Sequence, residues 1–180
     1  TYLGFLIWSD RPKGSLTDAG KQCLAVSSSS VAGKGVFVTQ SMPANTVLGT
    51  YPGVVLPLNA QQASKAQQFP QCEAYVWRFS DNQQIIDPTD SQGICQDVCN
   101  GGSVMIGSQP LFEYVLGPLG FRVPTTLCRI NEPPKGMDVN VVTNEDLETR
   151  TVTFLLERDV FEGEELFIDY GLTYDRTKYQ

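Results

Sequence analysis

Apolar and polar residues alternate most regularly near the C-terminal end of the chain. Between Arg150 and Glu157, the apolar residues Val152, Phe154 and Leu156 fall on one face, and threonines occupy most of the other. This period of two residues predicts a half-buried β-strand. Other short apolar or β-branched runs also predict strands: Leu3–Trp8, Cys23–Val26, a strand ending at Val38, Thr46–Leu56 (interrupted by Gly49 and by Pro52 with Gly53), Ala74–Phe79, Gln84–Asp87 and Leu166–Tyr170.

Helical patterns are fewer. Asn59–Phe69 predicts a helix, because Asn59 can cap it, alanines and glutamines fill it, and Pro70 ends it. Pro110–Leu116 predicts one or two helical turns, and residues 88–109 are rich in turn-forming residues. Many short strands with one or two minor helices predict a mostly β protein, and the absence of a repeat or boundary predicts one domain over residues 1–180.

Charge and hydropathy argue against a membrane-spanning protein and against a nucleic-acid-binding protein. The longest apolar run is too short to cross a bilayer. Thirteen basic and 20 acidic residues give a formal charge of −7, which argues against nucleic-acid binding. The acidic excess suits a cationic partner such as a lysine-rich peptide, although it can also serve solubility alone.

The cysteine and histidine counts constrain the chemistry. Five cysteines cannot all pair within one chain, and so few favour a reducing compartment. Cys95 and Cys99 lie four positions apart, which is not the usual spacing of zinc-binding pairs, so no metal site is predicted. There is no histidine, which excludes Ser-His-Asp and Cys-His nucleophile systems and histidine-ligated metals.

The stretch from Leu127 to Asn140 is the most unusual part of the chain. Asn131 and Asn140 flank a turn that contains two prolines and Gly136. Proline removes backbone donors, so this stretch cannot form the middle of a helix or of a central strand. Alone it would be interpreted as a polar loop, with short strand pieces at Ile130 and over 139–142.

Four motifs in order resemble those of SET domains, the fold of protein lysine methyltransferases. They are Val31-Ala-Gly-Lys-Gly-Val-Phe37, Met42-Pro-Ala-Asn-Thr-Val-Leu-Gly-Thr-Tyr-Pro-Gly53, Arg129-Ile-Asn131 with the later Asn140, and Gly163-Glu-Glu-Leu-Phe-Ile-Asp-Tyr-Gly171. The resemblance covers residues 31–171. It implies several short sheets and a pseudoknot-like crossing, in which the chain at Asn131 packs under the segment carrying Tyr170.

The resemblance also implies S-adenosylmethionine as the cofactor and assigns roles to residues. Tyr170 is the expected catalytic tyrosine, and Tyr51 is expected to line the lysine channel from the opposite side. The expected cofactor-binding residues are Gly33, Lys34, Gly35, Arg129, Asn131, Glu132 and Tyr174. The expected channel residues are Ile168, Trp77 and Tyr75. Without the resemblance, the glycines would be interpreted as a hairpin turn, Tyr174 as a surface residue and the other aromatic residues as core or core-edge packing.

The chain departs from the family pattern at several places. Glu132 stands where the motif usually has histidine, and Ile168 stands where Phe or Tyr commonly tunes the number of methyl groups added. No cysteine follows Asp169, so a zinc-binding segment after the domain is not expected. An unfamiliar insert over about 88–126 occupies the substrate-specific region.

The resemblance therefore implies an S-adenosylmethionine-dependent protein-lysine N-methyltransferase, with histones among the candidate substrates. Charge and hydropathy predict no direct binding to nucleic acid or membrane. One alternative is a catalytically inactive SET-like module that binds a partner peptide. A further alternative is a β-rich structural domain with incidental motifs. A nuclear, chromatin-associated location is implied only by the habit of the family, and the oligomeric state is open.

Overall fold

The computed structural model describes residues 11–101 and 122–171. These residues form mostly short strands, as predicted. The elements in chain order are β1 (Lys13–Leu16), α1 (Asp18–Cys23), β2 (Leu24–Ser28), β3 (Lys34–Val38), β4 (Val47–Pro57), α2 (Ala60–Gln68), a 3₁₀ turn (Pro70–Ala74), β5 (Trp77–Arg78), β6 (Gln84–Asp87), β7 (Val98–Cys99), β8 (Val123–Pro124), a second 3₁₀ turn (Thr126–Arg129), β9 (Val141–Asp146) and β10 (Thr151–Leu156). The predicted strand Leu3–Trp8 and the predicted helical turns at Pro110–Leu116 lie outside the described residues.

The chain divides into two compact units. We call them the insert unit (Thr1–Ser15, Tyr51–Cys128 and Glu145–Thr151) and the motif unit (Leu16–Thr50, Arg129–Asn144 and Val152–Gln180).

In the motif unit, β10 pairs antiparallel with the first part of β4, and β9 follows on the other edge of β10. Val152, Phe154 and Leu156 are all 0% exposed, which confirms the alternation seen in the sequence. At 25 cal/mol per Å² of apolar surface, burying each such side chain contributes about 1.5–3 kcal/mol. These residues therefore form the core of this unit.

A second pair of strands in the motif unit presents the glycine turn. Strands β2 and β3 pair from Leu24 opposite Val38 to Ser28 opposite Lys34, so the turn between them contains Gly33. Helix α1 precedes β2 and is capped by Thr17, whose Oγ1 accepts a hydrogen bond from the amide of Gly20 at 3.1 Å.

In the insert unit, the second part of β4 pairs with β6, and β6 pairs with β5. Helix α2 is attached to β6 by a buried ion pair, in which Lys65 Nζ lies 2.6 Å from Asp87 Oδ2. The same ammonium donates to Thr89 Oγ1 at 2.8 Å. Since Asp87 is 0% exposed, this ion pair offsets part of the cost of burying its carboxylate.

Several predicted bounds were wrong. β4 is one continuous strand and is not interrupted at Gly49 or Gly53. The predicted strand over Ala74–Phe79 shrinks to β5, because the chain enters it from a 3₁₀ turn. Leu166–Tyr170 is not a regular strand and contributes only an isolated bridge, from Phe167 to Asn131.

Candidate functional site

The glycine turn of the motif unit exposes main chain where other residues would place a side chain. Gly33 has a φ of +49°, in the left-handed region that favours glycine. Apart from Gly33 itself and its two chain neighbours, no heavy atom of the described residues lies within 4 Å of a Cβ added to Gly33. The turn is closed by the amide of Ser29, which donates to Gly33 O at 3.0 Å. This side of the turn is therefore open backbone.

Asn131 ties this turn to the rest of the site. Its Nδ2 donates to Ala32 O at 3.3 Å and to Lys34 O at 3.2 Å, on either side of Gly33. The same atom donates to Glu165 Oε1 at 2.9 Å. Asn131 is only 6% exposed, so these bonds form away from bulk water, where an unmade bond costs most. Its side chain thus fixes the position of the turn.

Glu165 is a residue of this site that the sequence prediction missed. Its Oε2 accepts from Ser29 Oγ at 3.0 Å, while its Oε1 accepts from Asn131. It also explains the glycine at position 35, because a Cβ there would lie 2.1 Å from Glu165 Oε1. The only signal in the sequence was its place in the last motif, where it directly precedes the apolar residues 166–168.

The predicted crossing is formed by the second asparagine. Asn140 Nδ2 donates to Glu165 O at 2.9 Å, and its Oδ1 accepts from the amide of Phe167 at 2.8 Å. The amide of Ile168 donates to Asn131 O at 3.0 Å. The segment 165–168 is therefore bonded to both ends of the 131–140 loop. Asn140 is 1% exposed, and its side-chain amide pairs with main-chain groups of this segment as the backbone of an adjacent strand would.

Tyr170 lies next to this crossing. Its hydroxyl donates to Ile130 O at 2.8 Å, and its side chain is half-buried. The hydroxyl oxygen keeps lone pairs that can accept a hydrogen bond from another donor. Ile168, on the same segment, is 4% exposed.

Arg129 and Glu132 lie on either side of the pair Ile130–Asn131. They are 8% and 9% exposed, which is unusual for charged residues. Tyr174, the predicted adenine contact, lies outside the described residues. The motif unit thus brings several of the predicted site residues close together around the 130–131 segment. They are Gly33, Lys34, Gly35, Asn131 and Tyr170.

The remaining predicted aromatic residues come together in the insert unit. The Tyr51 hydroxyl donates to Tyr75 O at 2.6 Å, and the rings of Tyr51 and Trp77 have centroids 5.5 Å apart. Trp77 Nε1 donates to Glu145 Oε1 at 3.2 Å, and Glu145 also accepts from the amide of Ser80. Tyr51 is 6% exposed. Its predicted role opposite Tyr170 stays a prediction.

Elsewhere in the described part of the chain, the surroundings shift the pKa of three side chains. Burial, with help from the Asp87 charge, raises the pKa of the Cys72 thiol. The amide of Gln83 is the main cause of a lowered pKa of Asp81, and Arg150 contributes. The amide of Thr149 lowers the pKa of Asp146. These groups shape stability rather than the candidate site.

Residues 11–101 and 122–171 contain neither a membrane-spanning helix nor a metal-binding cluster. No helix there is long and apolar enough to cross a membrane. No cluster of three or more His, Cys, Asp or Glu residues in that part of the chain could hold a metal ion.

Comparison with known proteins agrees with the geometry. The family model described as SET domain matches residues 33–171, from the glycine turn to the residue after Tyr170. A comparison with curated proteins found no matching relative. The family match covers well over half of the chain and includes every residue of the hydrogen-bond network around Asn131 except Ser29 and Ala32. The chain therefore belongs to the SET domain family.

Proposed function

We propose that this protein is an S-adenosylmethionine-dependent protein-lysine N-methyltransferase. Members of the SET domain family are usually lysine methyltransferases. The observation that carries the proposal is the network in which Asn131 holds the carbonyls on both sides of Gly33, while Tyr170 bonds to Ile130, the residue before Asn131. One short stretch of chain thus positions both the proposed cofactor turn and the proposed catalytic hydroxyl.

The residues of the turn fit the amino-acid part of the cofactor. A zwitterionic ligand needs main-chain donors and acceptors that it can approach closely, and glycine permits this. Gly33 has no described heavy atom within 4 Å of an added Cβ, so a ligand has room beside it. We assign Gly33, Lys34, Gly35 and Asn131 to this part. Further assigned cofactor-binding residues are Arg129, Glu132 and, over the adenine, Tyr174.

The bound cofactor supplies an electrophilic methyl group on a sulfonium. The chain must then hold a lysine amine in its neutral form, although the unperturbed pKa of lysine is about 10.4. An apolar channel lowers that pKa by desolvation. We assign Ile168, Tyr51, Tyr75 and Trp77 to the channel.

The Tyr170 hydroxyl orients the amine. Its proton is donated to Ile130 O, so we assign its oxygen the role of hydrogen-bond acceptor for the amine. An N–H of the amine directed at this oxygen leaves the nitrogen lone pair for the methyl carbon. Such positioning can supply much of the rate without a histidine or a metal.

The substrate is a lysine-containing protein or peptide, since the formal charge of −7 attracts a cationic chain. Histones, a chromatin association and a nuclear location are part of this proposal. So is the assignment of residues 1–180 to one SET-like domain, with core motifs at 31–171 and an insert at about 88–126.

A second function is favoured by one specific feature. Glu132 places a buried carboxylate, 9% exposed, directly after Asn131, where the family usually has histidine. If this charge prevents cofactor binding, the protein is a SET-like module that binds a partner peptide without methylating it.

Calorimetric titration with S-adenosylmethionine tests the proposal. We expect binding by the wild type and by Tyr170→Phe, and loss of binding by Asn131→Ala. Asn144→Ala is a matched control, because Asn144 is exposed in β9. No binding by the wild type would refute the cofactor assignment and leave the partner-binding module.

A second assay tests the chemistry. With a library of lysine peptides, the wild type should transfer methyl groups, and Tyr170→Phe should be slower by on the order of 100-fold through lost orientation. Equal rates for the two proteins would refute the role of Tyr170. A Tyr170→Phe protein that binds cofactor serves as its own folding control.

A further inference from the structure

Two thiols of the insert unit face each other across a long stretch of chain. Cys95 Sγ and Cys128 Sγ lie 3.4 Å apart, although the residues are 33 positions apart in sequence. Both are thiols in the structure. A disulfide has an S–S distance of about 2.05 Å, so a small movement of the side chains would join them.

Backbone pairing around the two cysteines holds them in place. The amide of Thr125 donates to Asp97 O at 3.1 Å, and the Thr125 hydroxyl donates to Gln96 O. Beyond these residues, β7 pairs with β8, with Cys99 opposite Val123. The two chain segments are therefore already aligned, and a bond between the thiols needs little further ordering of the backbone.

The two thiols differ in their access to solvent. Cys95 is partly exposed, whereas Cys128 is 7% exposed and donates to Thr125 O at 2.9 Å. A small oxidant in solution therefore reaches Cys95 first. Among the other cysteines, Cys72 and Cys99 are buried, and Cys23 contacts Gln40 in the motif unit.

We propose that Cys95 and Cys128 are a reversible oxidation site that a hydroperoxide converts to a disulfide. In the first step, the Cys95 thiolate attacks a peroxide oxygen, the O–O bond breaks, and Cys95 becomes a sulfenic acid while hydroxide or alkoxide leaves. In the second step, the Cys128 sulfur attacks the sulfenic sulfur, and the sulfenic oxygen leaves as water after taking up a proton. The peroxide is reduced and the two thiols are oxidised by two electrons.

A small dithiol reverses the bond by thiol–disulfide exchange. Such reversible bonds are the kind expected in reducing compartments, where persistent disulfides are rare. The proposal does not depend on methyltransferase activity. It concerns two cysteines of the insert unit to which no role was assigned above.

Mass spectrometry of the whole chain tests the proposal. The protein is treated with hydrogen peroxide, remaining thiols are blocked with N-ethylmaleimide, and the unreduced protein is digested. Trypsin separates Cys128 by cleaving after Arg122 and Arg129, and an endoprotease that cleaves before Asp97 separates Cys95 from Cys99. We expect a linked Cys95–Cys128 peptide pair, lighter by two hydrogens than the separate peptides and removed by dithiothreitol.

Variants sharpen the result. Cys95→Ser should form no link. Cys128→Ser should accumulate a sulfenic acid at Cys95 that dimedone traps, because the second thiol is gone. Cys23→Ser should behave as the wild type. Absence of the Cys95–Cys128 pair in the folded wild type would overturn the proposal, and so would a link from Cys95 mainly to another cysteine.

Discussion

The contact between Gly35 and Glu165 predicts that substitutions at these two positions will be strongly non-additive. A Cβ at position 35 would lie 2.1 Å from Glu165 Oε1, so Gly35→Ala must displace the carboxylate. That carboxylate accepts from Asn131 Nδ2 at 2.9 Å and from Ser29 Oγ at 3.0 Å. Displacing it therefore removes both bonds.

The magnitude follows from these two bonds. A hydrogen bond to a charged group contributes about 1.5–3 kcal/mol, and the lower end applies to this half-buried site. Gly35→Ala should therefore lower the free energy of unfolding by about 3 kcal/mol, less up to about 1 kcal/mol from reduced entropy of the unfolded chain. Glu165→Ala loses the same two bonds and should also cost about 3 kcal/mol.

The double variant should cost little more than either single one, because the same bonds can be lost only once. The expected coupling energy is about −2 to −3 kcal/mol, well above the roughly 0.5 kcal/mol scatter of independent sites. The measurement is urea unfolding followed by circular dichroism. Gly136→Ala is a suitable control, since no described heavy atom lies within 4 Å of its added Cβ, and its cost should add to that of Glu165→Ala. If Gly35→Ala cost the same with and without Glu165, the steric argument would be wrong.

Three further predictions concern stability. Asn140→Ala should lower the free energy of unfolding by about 2–4 kcal/mol, since it leaves two buried main-chain groups without their partner; unchanged urea midpoints would contradict this. Lys65→Met should cost about 3–5 kcal/mol by removing the ion-pair partner of the buried Asp87 side chain, and Lys65→Met with Asp87→Asn should recover part of the loss; no recovery would argue against the ion pair. The pKa values of Asp81 and Asp146 lie below 3.8 in the folded state, so their stabilisation is present above about pH 4 and is lost as the pH falls through the lowered values. The acid limb of a stability–pH curve should therefore flatten in Asp81→Asn and Asp146→Asn.

The sequence predicted the buried face of β10 from the residues of that strand alone. The period of two residues in β10 identified its buried face, because alternation follows directly from strand geometry. The crossing of the 131–140 loop with the segment ending at Tyr170 was implied by the resemblance of the four motifs to SET domains. Only the buried face of β10 follows from the pattern of neighbouring residues.

The missed features depend on partners far apart in sequence. The Glu165 carboxylate accepts a hydrogen bond from Ser29, which lies 136 positions earlier in the chain, and no local pattern marks that contact. Helix α2 is held by the ion pair of Lys65 with Asp87, 22 positions later, and no pattern within the helix marks that contact. In β4, pairing with β6 and β10 overrides the tendency of Gly49 and Gly53 to end a strand.

The two asparagines also determine how much added length the 131–140 loop can tolerate. Asn131 and Asn140 clamp its ends to segment 165–168, while Met137 at its tip is 55% exposed. Lengthening a loop whose ends stay closed adds only about 0.6 kcal/mol of entropy for each doubling in length. We therefore expect the tip beside Gly136 to accept an inserted affinity tag or fluorescent reporter peptide within the chain.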